Sequence, residues 1–186
     1  MLVIVNPNNP TGSVLSTDWI YRFASTHPDK LLVVDESFIE FSCEDSLISR
    51  LKAAPLSNVL LIKSLSKSLG VPGIRIGYLY TSNSDFNRFI SKIIPIWNAN
   101  TIAEYFLELL LRHKPSLEES FQKTIDDRNQ FSKELGQLEV VDKIFPSDGN
   151  FFLASLMMDA KLGPKFSQEM LLKYNRLYRK RIPCFI

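Results

Sequence analysis

The sequence is poor in several residue types that mark whole classes of protein. It contains two cysteines, Cys43 and Cys184, among 186 residues. They lie far apart, outside any Cys-X-X-Cys or Cys/His cluster. This excludes a disulfide framework and a zinc-finger spacing, and it makes a reducing compartment, the cytoplasm, the expected setting. The two histidines, His27 and His113, sit beside proline or a charged residue and read as surface positions. Neither sign of charge dominates. The 22 Lys and Arg against 20 Asp and Glu leave a net charge of +2, too little for a nucleic-acid footprint. No apolar run approaches the roughly 20 residues of a membrane span. The opening Met1 to Val5 is too short and lacks the basic flank of a signal peptide. Internal repeats and low-complexity segments are also missing.

What is present is an ordinary globular balance, 45% apolar and 23% charged. The length suits one domain, or one domain with a small second lobe. Both ends are abrupt. A β-branched run, Leu2 to Val5, opens the chain, and it stops on Cys184-Phe185-Ile186. A segment of a longer protein is therefore expected.

Short apolar runs alternate with helical stretches. Leu31 to Val34 ends in Asp35, Val59 to Ile62 ends in Lys63-Ser64, and Ile76 to Tyr80 is a third run. Such runs without polar alternation suit strands buried on both faces of a parallel or mixed sheet. Between the Leu2 to Val5 run and the Leu31 to Val34 run, Ser16 or Thr17 can cap a helix through Trp19, Ile20 and Phe23 to His27-Pro28. This is the βαβ rhythm of an α/β domain. Residues 101–135 read as one long helical stretch with a break near Lys114-Pro115, since Ile102, Tyr105, Phe106, Leu109 and Leu110 recur at helical spacing. Leu138 to Val141 and Asn150 to Leu156 then read as strands around the Phe145 to Gly149 turn. A last helix is expected over Lys165 to Tyr174, and a lobe boundary near residue 115.

In an open α/β sheet, ligands bind at the carboxyl ends of the strands. Asn9 follows the run at residues 2–5, Asp35 follows 31–34, and Ser64 and Lys67 follow 59–62. Three stretches carry a resemblance at these places: Asn6-Pro-Asn-Asn-Pro-Thr-Gly12, Val34-Asp-Glu-Ser-Phe-Ile-Glu-Phe41 and Ser64-Leu-Ser-Lys-Ser-Leu-Gly-Val-Pro-Gly-Ile-Arg-Ile-Gly77. Together they resemble fold-type-I, class I/II aminotransferases that use pyridoxal 5'-phosphate (PLP), in particular the histidinol-phosphate aminotransferase and threonine-phosphate decarboxylase branch. Three motifs in one order are specific, where any one alone would be weak. Pro95 to Ala103 echoes the same branch less specifically.

The resemblance implies roles. Lys67 would be the catalytic lysine, joined to the cofactor as a Schiff base and later moving a proton. Ser64 and Arg75 would hold the phosphate, because a guanidinium pairs with phosphate in a bidentate way. Asp35 would pair with the pyridinium nitrogen, and Asn9 would hydrogen-bond the ring hydroxyl oxygen. Gly73 and Gly77 would let the backbone turn beside Arg75. Each has a plainer reading from the residues alone. Asp35 can cap a turn, Arg75 can serve a structural ion pair, and Asn9 can form an Asn-Pro turn. Glu36 reads as structural and Lys63 as polar loop. Trp97 reads equally as substrate-facing or as buried packing, and the basic run Arg176 to Arg181 as a solvated face.

Two departures matter. The tyrosine that the family places three residues after the aspartate is Phe38 here. The glycine-rich phosphate turn and the ring-stacking aromatic that precede the Asn-Pro motif are missing, and the arginine that takes the substrate carboxylate would lie beyond residue 186. Neither Arg179 nor Arg181 is given that role. The implied fold is α/β. Residues 1–115 would be part of the large PLP-transferase domain, a mostly parallel sheet with flanking helices, and 116–186 part of the small C-terminal α+β lobe. The implied function is an aminotransferase acting on an amino acid or amino-acid phosphate, a small-molecule substrate, within a homodimer. No nucleic-acid, membrane or metal partner is implied. The alternatives are a decarboxylase of a phosphorylated amino acid and a non-catalytic folded fragment.

Overall fold

A computed structural model of the chain describes residues 1–174. Four strands form the main sheet in the order in which they occur: β1 (Leu2–Val5), β2 (Leu32–Asp35), β3 (Val59–Ser64) and β4 (Gly77–Tyr80). The first three are parallel, with Val34 opposite both Ile4 and Leu61. Strand β4 runs antiparallel to β3, pairing Lys63 with Tyr78 and Ser64 with Gly77. It is an exposed edge rather than a strand buried on both faces, with Tyr78 and Leu79 each 39% accessible.

Helix α1 (Thr17–Thr26) starts where Ser16 Oγ accepts a hydrogen bond from Trp19 N, the cap read from the sequence. Helix α2 (Leu47–Ala53), absent from the sequence reading, has an equivalent cap in Ser46. Both helices cover one face of the sheet. Ile20 and Ala24 from α1, and Leu47 and Leu51 from α2, pack with Ile4, Leu32, Val34, Val59 and Leu61 into one core. Side-chain alternation places Asp35, Ile62 and Ser64 on the other face.

The four-residue helix α3 (Leu65–Ser68) follows β3, and a 3₁₀ turn (Pro72–Ile74) leads into β4. Helix α4 (Ser84–Ile93), also unforeseen, is capped by Asn83 Oδ1, which accepts from Phe86 N at 2.9 Å. The long helical stretch is two helices, α5 (Thr101–Arg112) and α6 (Lys114–Leu135), parted at His113 ahead of Pro115. Strands β5 (Val141–Ile144) and β6 (Ala154–Leu156) form an antiparallel pair, followed by α7 (Gly163–Tyr174). The first of these strands begins at Val141 and not at Leu138. The intervening residues are held in turns, with Leu138 N bonded to Leu135 O and Val141 N to Leu138 O. The run Asn150 to Phe152 likewise stays outside the ladder.

The second half is fastened to the first by Arg128. Its Nη1 donates to Phe41 O at 3.1 Å and to Gly149 O at 2.9 Å. Edge-to-face pairs, Phe38 with Phe151 and Phe41 with Phe121, line the same junction. Cys184, the basic run Arg176 to Arg181, and Arg179 and Arg181 individually, lie outside the described residues.

Candidate active site

The parallel strands deliver their carboxyl ends to one place. A cleft of about 370 Å³ lies there, lined by Asp35, Ser37, Ser64, Ser66, Arg75 and Tyr78 among others. Three of the residues singled out from the sequence, Asp35, Ser64 and Arg75, therefore meet. Lys67 and Asn9 are not among the lining residues. Lys67 is an exposed side chain on α3, the residue after the buried Ser66. Asn9 is exposed in the loop after β1.

That loop is built by its neighbours. The buried Asn6 holds Leu15 with both amide atoms, Oδ1 accepting from Leu15 N at 2.7 Å and Nδ2 donating to Leu15 O at 3.0 Å. Gly12 has a φ of 73°, and its carbonyl accepts from Asp148 N at 2.8 Å. A side chain there would run into Ser147, so glycine is required.

Asp35 caps the turn that follows β2, since its Oδ1 accepts from Ser37 N at 2.9 Å and from the Ser37 hydroxyl. Ser37 Oγ in turn accepts from Ser64 N at 3.0 Å. The turn-capping reading of Asp35 and its place in the cleft thus hold together. Arg75 makes no ion pair among the described residues, and its Nη1 donates to Pro72 O at 3.3 Å. Its backbone is left-handed, with φ 52° and ψ 57°. The unusual conformation belongs to Arg75 and not to Gly73 or Gly77, neither of which has a positive φ. A non-glycine residue held this way is a strained position of the kind that collects at binding sites.

The sequence reading missed what lies beneath the cleft. Lys63 is not polar loop. It is a buried residue of β3 whose ammonium pairs with the Glu40 carboxylate. Glu36 is fully buried, accepting from the Ser46 hydroxyl and from Leu47 N at 2.8 Å. It has the structural role expected of it. Burial pushes its carboxyl above the ordinary value of 4.5, against the pull of the Ser46 and Leu47 hydrogen bonds and of Lys63. Burial, then the charges of Glu36 and Glu40, also raise the Tyr78 phenol above 10.0. Trp97 is neither packed nor turned into the cleft: it is 91% accessible. His27 and His113 are exposed, as expected.

A mostly parallel sheet that gathers a carboxylate, serine hydroxyls and an arginine in one cleft at its carboxyl ends defines an α/β protein with a polar cleft where ligands bind in such sheets. Residues 1–185 match the family described as aminotransferase class I and II, and the chain belongs to that family, which is PLP-dependent. It is similar to L-serine phosphate decarboxylase of Campylobacter jejuni, 33% identical over 180 residues, covering 93% of this chain and 45% of that protein. Histidinol-phosphate aminotransferase of Clostridium novyi is 32% identical over 153 residues, covering 82% of this chain and 41% of that protein. Among solved structures, L-threonine-O-3-phosphate decarboxylase of Porphyromonas gingivalis superposes with a TM-score of 0.81 at 29% identity, covering 94% and 52% of the two chains. The chain spans less than half the length of the curated relatives it matches.

Proposed function

We propose that this chain forms part of a PLP-dependent aminotransferase acting on an amino acid or amino-acid phosphate. The supporting observation is the cleft that brings Asp35, Ser64, Ser66 and Arg75 to the carboxyl ends of β2 and β3. Its donor set suits a group with a basic ring nitrogen and a dianionic phosphate. When bound, PLP supplies an electron sink for charge developing at the substrate α-carbon. In this reading Asp35 faces the ring nitrogen, Ser64 and Arg75 hold the phosphate, and Asn9 donates to the ring hydroxyl oxygen. Lys67 would be the lysine that holds the cofactor through its aldehyde, and its amine would serve as the proton-carrying group beside the substrate α-carbon.

The test is visible absorbance with added PLP, followed by borohydride reduction and peptide mapping. A reduced label on Lys67 is the expected result. A label on another lysine, or none, would overturn the role of Lys67 and leave family membership standing.

A second reading is a decarboxylase of a phosphorylated amino acid. Phe38 favours it, being buried edge-on against Phe151 and bringing no hydroxyl to the site. Product analysis separates the two: a keto acid for transamination, carbon dioxide and an amine for decarboxylation.

The assembly follows from the same reading. We assign residues 1–115 to the large domain and 116–186 to the small one, with two copies forming a homodimer in the cytoplasm. Exposed apolar side chains on and between α4 and α5 support association, among them Phe89, Ile93, Ile96, Trp97 and Tyr105. The scarcity of cysteine supports the compartment.

A further inference from the structure

We infer that Ser37 is the positioning residue of the cleft, whose hydroxyl fixes the Asp35 carboxylate and ties it to the strand end that carries Ser64. The inference rests on the proposed pairing of Asp35 with the ring nitrogen and extends it to a residue outside the motif roles. Ser37 is 7% exposed. A serine hydroxyl has one proton and two lone pairs. Here an amide N–H, which can only donate, points at Ser37 Oγ from Ser64. The single Ser37 proton is therefore free for Asp35 Oδ1, and the order of donors is fixed: Ser64 N–H to Ser37 Oγ, Ser37 O–H to Asp35 Oδ1. Ser37 N donates to the same oxygen. Two donors from one residue hold Oδ1, and no described side chain or backbone group hydrogen-bonds Oδ2.

The consequence is orientation. An aspartate at a strand end would otherwise rotate about two side-chain torsions, and a ligand would have to freeze them on binding. With Oδ1 held by Ser37, Oδ2 is the oxygen left to face a ligand. The turn alone does not need the hydroxyl, because the Ser37 N–H to Oδ1 bond survives any side chain at 37. Ser37→Ala therefore removes the hydroxyl bridge and leaves the turn, while Ser37→Thr keeps both.

The experiment compares two probes, PLP and its analogue with carbon in place of the ring nitrogen. Dissociation constants are read by absorbance for the chain and for the Ser37→Ala, Ser37→Thr and Asp35→Ala variants. A positioning role predicts that Ser37→Ala narrows the preference for PLP over the analogue by about tenfold, with analogue affinity nearly unchanged. Ser37→Thr restores the preference. Without any cofactor, amide exchange at Ser64 should quicken about tenfold in Ser37→Ala, while Leu61 in the same strand holds. Equal loss of both probes, no change in the preference, or an unaltered Ser64 amide would each overturn the inference. If Asp35→Ala itself leaves the preference intact, the pairing of Asp35 with the ring nitrogen falls instead.

Discussion

Gly77 lies directly against the carbonyl of Lys63: a Cβ built at Gly77 would stand 2.5 Å from that oxygen. The contact lets β4 close onto β3 beside the cleft, with Gly77 in register with Ser64. The obstacle is backbone and cannot swing aside. Gly77→Ala should therefore destabilise the chain by about 1–3 kcal/mol, the usual cost of overpacking, read as a lower urea midpoint. An alanine variant as stable as the parent would contradict this account of the seam.

Lys63 and Glu40 form a buried ion pair, at 8% and 18% side-chain accessibility, and Glu40 Oε2 has no hydrogen-bond partner among the described residues. Removing one charge leaves the other desolvated. Lys63→Met alone should cost about 3 kcal/mol, and adding Glu40→Leu should recover most of it, because an apolar pair of similar volume replaces the ionic one at little cost. Denaturation of the two single variants and the double variant checks this. Additive losses would mean that the charges do not act as a pair.

The raised Glu36 carboxyl has a stability signature. Its folded-state pKa lies above the ordinary 4.5, because burial disfavours the charged form. The folded chain thus binds more protons than the unfolded chain between those two values. The Glu36 contribution to stability is greatest below 4.5 and falls as pH rises through the folded value. Glu36→Gln removes this titration, so its stability relative to the parent should climb across that window. Denaturant titrations of both proteins at several pH values test it; a difference that stays level with pH counts against it.

Phe38 gives the proposed site no phenol. A phenol donating to the cofactor's ring oxygen would stabilise negative charge there, and that oxygen would then hold the neighbouring imine proton less firmly. Phe38→Tyr should therefore lower the pH midpoint of the visible band in PLP-loaded protein. A spectroscopic titration with no downward shift would remove the argument.

Much of the scaffold was legible because it is local. Ser16 announces α1 by a cap three residues from its donor. Pro115 breaks the long helical stretch because it has no N–H to give. The apolar runs that became β1, β2 and β3 showed strand character without any partner. Ser46 and Asn83 displayed the same capping chemistry ahead of α2 and α4, so those helices were available to a closer reading. The motifs likewise set Asn9, Asp35, Ser64 and Lys67 after strands and paired Arg75 with Ser64; of these, Asp35, Ser64 and Arg75 line the cleft.

What the sequence could not decide were the contacts that depend on register between distant segments. Lys63 looked like loop because its partner Glu40 is reached only when β3 lies beside the turn after β2. Ser37 drew no role from the sequence because its partner Ser64 is 27 residues away. The strain at Arg75 was credited to the glycines around it, since the sequence lists where φ can turn positive but not where it does. Periodicity and caps are properties of neighbouring residues, and the sequence determines them by itself. Which acid meets which cation, and which oxygen of Asp35 stays open, is settled only when the strands pair, because only then are desolvation and hydrogen-bond geometry defined.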